Sequence, residues 1–128
     1  MAAAESVDFA VLGYAITSME TEIYRPSRII LLGEDASPEA RRSTSLDVLV
    51  SPSPPPFFLW HTAEDVRVPP EHSYRFAATL ARYDAPRTVH VFAHGPHNLG
   101  LAEGAGDASG WTALAEAWMS EQLRSGRR

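Results

Sequence analysis

The sequence contains no cysteine and no lysine. Without cysteine there are no disulfides and no thiolate metal ligands, and a cytoplasmic setting is the expectation. Without lysine, a Ser–Lys dyad, a Schiff base and a Walker-type phosphate lysine are excluded within this chain; all eleven basic residues are arginine. No apolar run approaches the roughly 18 residues a spanning helix needs, so no transmembrane segment is expected. The opening MAAAESVD sets no basic region ahead of an apolar stretch and does not read as a secretory signal. A formal net charge of −5 disfavours nucleic acid and anionic membranes as partners.

What is present suits one domain of 128 residues, able to bury roughly two-thirds of the surface its unfolded chain exposes. DFAVLGYAI is an apolar run of strand length, with the strand itself expected from Phe9 to Tyr14. Residues 17–28 lack a period and read as loop, and IILLG (29–33) as a brief strand or an inserted turn. Ser37-Pro38-Glu39 offers an N-cap, a proline at the first helical position and an acid in the first turn. The helix it opens in SPEARRSTSLDVLV is expected to be short, because Ser, Thr and Val weaken its middle. SPSPPP is a stiff extended lead-in to a second strand, Phe57 to His61. Helical spacing of Tyr74, Ala77, Ala78, Leu80 and Ala81 predicts a helix from Glu71 to Tyr83. TVHVFA, Thr88 to Ala93, alternates as a third strand. A glycine-rich loop follows, then an amphipathic helix from Trp111 to Leu123. Strand, helix, strand, helix in this order predicts an α/β fold with a parallel sheet.

One stretch needs a reason beyond folding. HTAEDVRVPP sets Glu64 and Asp65 where the apolar run FFLW stops, then locks the chain with Pro69-Pro70. In an open parallel sheet, sites form at the carboxyl ends of the strands, and this is such an end. The next strand ends in HVFAHGPHNLG, which offers His94 and His97. Neighbouring strands lie about 4.8 Å apart, so Asp65 and a histidine of that loop come within reach of each other. A carboxylate bonded to one imidazole nitrogen fixes the tautomer and steadies the imidazolium formed when the other nitrogen takes a proton. The turn Gly95-Pro96 is suited to holding His97 over the sheet edge.

These residues carry a resemblance. HTAEDVRVP resembles the H-G/T-x-x-D-x-x-V-P segment after the seventh strand of α/β-hydrolases, and HGPHNLGLA is similar to the G-x-H segment after their eighth. EHSYRFAATLARYDAPRTVHVF has the length and pattern of the helix and strand between. Upstream, DFAVLGYAIT resembles their sixth strand. RIILLGEDASPEARRSTSL resembles the cap-like excursion of the acetyl-esterase and dienelactone-hydrolase-like branches. The resemblance implies Asp65 as the acid and His97 as the base of a Ser-His-Asp triad, with His94 outside the motif. It implies a serine hydrolase acting on acetyl-type carboxylic esters, with no cofactor and no metal.

The departure from that family is the nucleophile. No G-x-S-x-G elbow and no HGGG-type oxyanion segment occurs in these 128 residues. The expectation is therefore a partial α/β-hydrolase fold: residues 1–128 as the C-terminal portion of the domain, without the half that carries the serine. Phe9 to Tyr14 then presents an unpaired sheet edge, suited to an N-terminal hydrolase half or to self-association. The alternative is a non-catalytic module acting through that edge.

Plainer roles stand beside these. For Asp65 the plainer reading is a helix cap or an arginine partner. Glu64 reads as a solvated neighbour, His61 and Trp60 as strand packing, and His72 and His90 as structural. Trp111 and Trp118 read as core. His94, His97 and His61 with an acid form a weak zinc pattern, since H-x-x-H lies on a loop.

Overall fold

The computed structural model describes residues 7–20 and 25–126. The first six residues of the opening segment, and residues 21–24 of the expected loop, lie outside that range. Among the described residues the sheet has three strands, β1 (Ala10–Gly13), β2 (Phe57–Thr62) and β3 (Arg87–Phe92), in the order β1-β2-β3. Both pairings are parallel, with Leu59 of β2 level with Leu12 of β1 and with Val89 of β3. The strand expectations are met to within a residue or two at each end.

The pleat of β2 divides the core. Phe58 and Trp60 face one side, where they pack with Ala115 and Trp118 of α4 (Trp111–Ser125). Leu59 faces the other, against Phe76 and Leu80 of α3 (Glu71–Arg82). Successive side chains of a strand point to opposite faces, so a continuous apolar run is what a strand covered on both faces requires. Phe58, Leu59 and Trp60 are all buried, each contributing about 1.5–3 kcal/mol by leaving water. Trp118 meets Phe9 edge-on at 5.6 Å and Phe58 at 5.7 Å. Trp111 stacks on Trp60 at 5.0 Å, so the tryptophan pair of α4 is core as expected.

The IILLG segment is a correction. Residues 29–32 belong to a helix, α1 (Arg25–Leu32), and are neither a strand nor a turn. Pro26 sits in its first turn, where a fixed φ and a missing N–H cost nothing. Gly33, at φ 86, closes the helix, with its N–H donating to the Ile29 carbonyl at 2.8 Å. The end of the expected loop, residues 25–28, is helical for the same reason. No residue of α1 is buried, and Ile30 is 87 % exposed. Helix α2 (Pro38–Ser43) is short, as its composition implies. Ser37 caps it by accepting from the Ala40 N–H at 3.1 Å. It ends where the Thr44 and Ser45 hydroxyls bond back to the Ala40 and Arg41 carbonyls. Among the described residues, no helix is long and apolar enough to cross a membrane.

Candidate active site

The carboxyl ends of β2 and β3 lie side by side, and the loops leaving them meet. After β2 the chain turns through residues 63–70 into α3, and Asp65 stabilises that turn. Its Oδ1 accepts the N–H groups of Arg67 at 3.0 Å and Val68 at 2.9 Å. This is the local motif in which an aspartate bonds to backbone just ahead of it. The Asp65 side chain is wholly buried.

After β3 the loop doubles back. Gly95 stands at φ 130, a conformation L side chains avoid, and a Cβ there would sit 2.9 Å from Leu99 Cδ1 and 3.3 Å from Thr62 Cγ2. Asn98 follows His97 in the left-handed region at φ 69, which asparagine tolerates. The loop is pinned to the β2 end. Thr62 Oγ1 donates to the Gly95 carbonyl at 2.6 Å, and Glu64 Oε2 accepts the Gly95 N–H at 3.0 Å. Glu64 Oε1 pairs with His94 Nδ1 at 3.0 Å. Glu64 is therefore exposed as expected, yet it also clips the histidine loop in place. The Gly95 N–H and then His94 pull its pKa below the usual carboxylate range, and Glu64 raises that of His94.

Held in this way, His97 Nδ1 lies 2.6 Å from Asp65 Oδ2. A carboxylate oxygen accepts, so Nδ1–H is the donor of this bond and Nε2 is the ring nitrogen turned away from the acid. The His97 side chain retains 19 % of its exposure. Tyr14, at φ 40 just past β1, presses edge-on against the His97 ring at 4.9 Å and against Trp60 at 5.1 Å. Its hydroxyl accepts the Gly100 N–H at 3.2 Å. A non-glycine residue in the left-handed region costs energy and persists only where its surroundings hold it. Here the surroundings are the imidazole and the indole. Nothing in the chain order singles out Tyr14; only its position at the end of β1 places it.

The remaining histidines separate by environment. His72 is buried, with Nδ1 accepting the Thr17 N–H at 3.0 Å, which ties the loop after β1 to the start of α3. His90 packs against Phe58 at 5.2 Å. Both are structural, as expected. His61 is more than strand packing: it hydrogen-bonds through both ring nitrogens and its Nε2 lies 3.3 Å from Asp65 Oδ2. No group of three or more His, Cys, Asp or Glu side chains among the described residues is arranged to hold a metal ion. His94 is committed to Glu64 on the surface while His97 turns in to Asp65, so the two ends of H-x-x-H serve different partners.

Comparison with known proteins gives a consistent set of relatives. The profile of the prolyl oligopeptidase family matches residues 6–126. The sequence is 33 % identical over 118 residues to endo-1,4-beta-xylanase B of Butyrivibrio fibrisolvens, covering 92 % of this chain and 18 % of that protein. Among solved structures, the acetyl ester-xyloside bifunctional hydrolase of Caldicellulosiruptor lactoaceticus superposes with a TM-score of 0.86 at 38 % identity, over 89 % of this chain and 42 % of that one. A carboxylesterase of Lactobacillus plantarum superposes with a TM-score of 0.68 at 26 % identity, over 91 % of this chain and 45 % of that one. The chain thus spans less than half the length of each of these relatives.

Proposed function

We propose, from the premise that this chain belongs to the prolyl oligopeptidase family and has the α/β-hydrolase fold, that it is the acid-and-base portion of a carboxylesterase. Residues 1–128 are read as the C-terminal part of the catalytic domain. The nucleophile comes from the complementary part, on a separate chain or in a continuation of the same one. The observation that carries this reading is the 2.6 Å bond between Asp65 Oδ2 and His97 Nδ1 at adjacent strand ends.

In this reading Asp65 holds His97 in the Nδ1–H tautomer. His97 Nε2 then takes the proton of a serine hydroxyl as its oxygen attacks the ester carbonyl, and returns it to the departing alcohol. In the second half-reaction the same nitrogen activates water against the acyl-enzyme, releasing the acid and the free serine. The relatives whose names include acetyl ester and carboxylesterase activities support a small acyl ester as substrate. A cytoplasmic setting belongs to the same reading, on the cysteine-free composition.

The test is reconstitution. The chain is co-expressed with the segment of the Caldicellulosiruptor hydrolase that it does not match, and hydrolysis of an activated acetyl ester is followed. The expected result is turnover by the mixture and none by either part. A mixture that assembles and stays inert would contradict the proposal, as would turnover by this chain alone. The second reading, a module that acts only by association, is favoured by one feature: β1 pairs on one side with β2 and on the other with no described strand. Assembly without turnover would select it.

A further inference from the structure

Between Asp65 and α3 lies a buried imidazole for which the proposed reaction has no use. His61 is fully enclosed, and both of its nitrogens are engaged. Nδ1 lies 2.8 Å from Ser73 Oγ, and Nε2 lies 2.6 Å from the Val68 carbonyl oxygen and 3.3 Å from Asp65 Oδ2. The two atoms near Nε2 are acceptors, so Nε2 must carry the proton; the opposite tautomer would set its lone pair against both oxygens. Nδ1 is then the acceptor, and the Ser73 hydroxyl donates to it. Burial lowers the pKa of His61 from its ordinary value of 6.5, against the raising effects of the Val68 bond and Asp65. The titratable groups that act on it are Asp65, His72 and His97. It is a neutral donor with a fixed direction.

The Val68 peptide is held from both sides. Its N–H donates to Asp65 Oδ1, and its carbonyl accepts from His61. Asp65 thereby has Oδ1 occupied by two backbone donors and Oδ2 facing His97, with the His61 N–H close by. We propose that His61 is a positioning residue for the acid. Its Nε2–H, oriented by Ser73, fixes the turn over residues 65–68 and the plane of the carboxylate, so that Oδ2 meets His97 Nδ1. Removing that N–H leaves a buried carbonyl without its donor, a costly state, and frees the carboxylate to turn away from His97. The inference rests on reading Asp65 and His97 as an acid–base pair, and it concerns how that pair is aimed.

The experiment uses the full chain with ¹⁵N-labelled histidine, following imidazole nitrogen shifts and the exchange of ring N–H protons by NMR. In the unsubstituted protein His61 is expected as the neutral Nε2–H tautomer, and His97 with a slowly exchanging Nδ1–H. His61→Leu is expected to abolish the slow His97 proton. His61→Gln, which keeps an N–H donor near the Nε2 position, is expected to retain it. Since His61→Leu also removes a buried polar anchor of the fold, Ser73→Ala is a second arm that keeps the imidazole and removes only its orienting hydroxyl; faster exchange of the His97 proton is expected. A slow His97 proton that survives in a folded His61→Leu, or that exchanges no faster in Ser73→Ala, overturns the inference, as does finding His61 as Nδ1–H. Asp65→Asn separates this from the underlying reading: a His97 proton indifferent to that change sinks the acid–base pair itself.

Discussion

Gly13 lies against the edge of the Trp60 indole so closely that a Cβ on it would stand 2.6 Å from Nε1 and 2.9 Å from Cε2. The indole has little room to retreat, since it is buried and stacked on Trp111. Gly13→Ala is therefore expected to overpack the core at a cost of about 1–3 kcal/mol, read as a lowered denaturant midpoint. The next residue, Tyr14, braces His97, so this contact links core packing to the site. An unchanged midpoint would mean that the indole is loosely held.

Acid should weaken the fold through His61. Burial lowers its pKa below 6.5, so the folded chain binds fewer protons there than the unfolded chain. The stability from a neutral His61 is complete above 6.5 and is lost as pH falls through the folded value, at up to about 1.4 kcal/mol per pH unit. His94 works the other way. Glu64 raises its pKa, so the exposed pair contributes below the ordinary histidine range and fades as pH rises through the folded value. At its lower limit the pair fails as pH falls through the lowered Glu64 value. Exposed pairs are worth little and are screened by salt. In high salt the unfolding midpoint should drop on going from about pH 7 to about pH 5, and His61→Gln should flatten that drop. A flat profile in the unsubstituted chain would contradict the buried neutral imidazole.

The side of β1 that no described strand covers should make the isolated chain associate. A strand edge without a partner is a template for another chain, and the α3 side of the sheet adds an apolar groove of about 390 Å³ lined by Leu12, Leu46, Leu49, Val50 and Phe57. Sedimentation velocity over a range of concentrations is expected to show species larger than monomer. Addition of the complementary hydrolase segment should replace them with a one-to-one complex. A monomer that unfolds cooperatively and ignores the segment would contradict the proposed partnership.

The parts of this molecule legible in its sequence are those decided by local pattern. FFLW announces a strand buried on both faces, and the spacing of Tyr74, Ala77, Leu80 and Ala81 announces α3. Adjacent parallel strands bring Asp65 and the histidine loop to one rim whatever the side-chain detail, but the choice of His97 over His94 rests on the resemblance to the G-x-H segment. Helix α1 escaped because IILL is equally apolar in either state, and the features that decide it, Pro26 and the left-handed Gly33, lie at its ends. The role of His61 escaped for a different reason. Its tautomer follows from the Val68 carbonyl and Asp65 Oδ2 near Nε2. Its Nδ1 partner, Ser73, lies twelve residues on, and these contacts exist only once the turn has closed and α3 has docked on the sheet. The i, i+4 spacing of His61 and Asp65 was the available hint. Glu64 likewise reads as a surface acid until the histidine loop folds back onto it.

The pairing of Asp65 with His97 is tested most directly by the rate at which the reconstituted enzyme hydrolyses an acetyl ester when Asp65 is replaced by Asn. That change preserves shape and removes the charge that orients the imidazole. A fall in turnover of about 10⁴, the size seen for the equivalent change in a serine protease, is the predicted result, with His97→Ala falling at least as far. A rate within about tenfold of the unsubstituted enzyme, in a complex that assembles normally, would show that Asp65 does not serve His97 in catalysis.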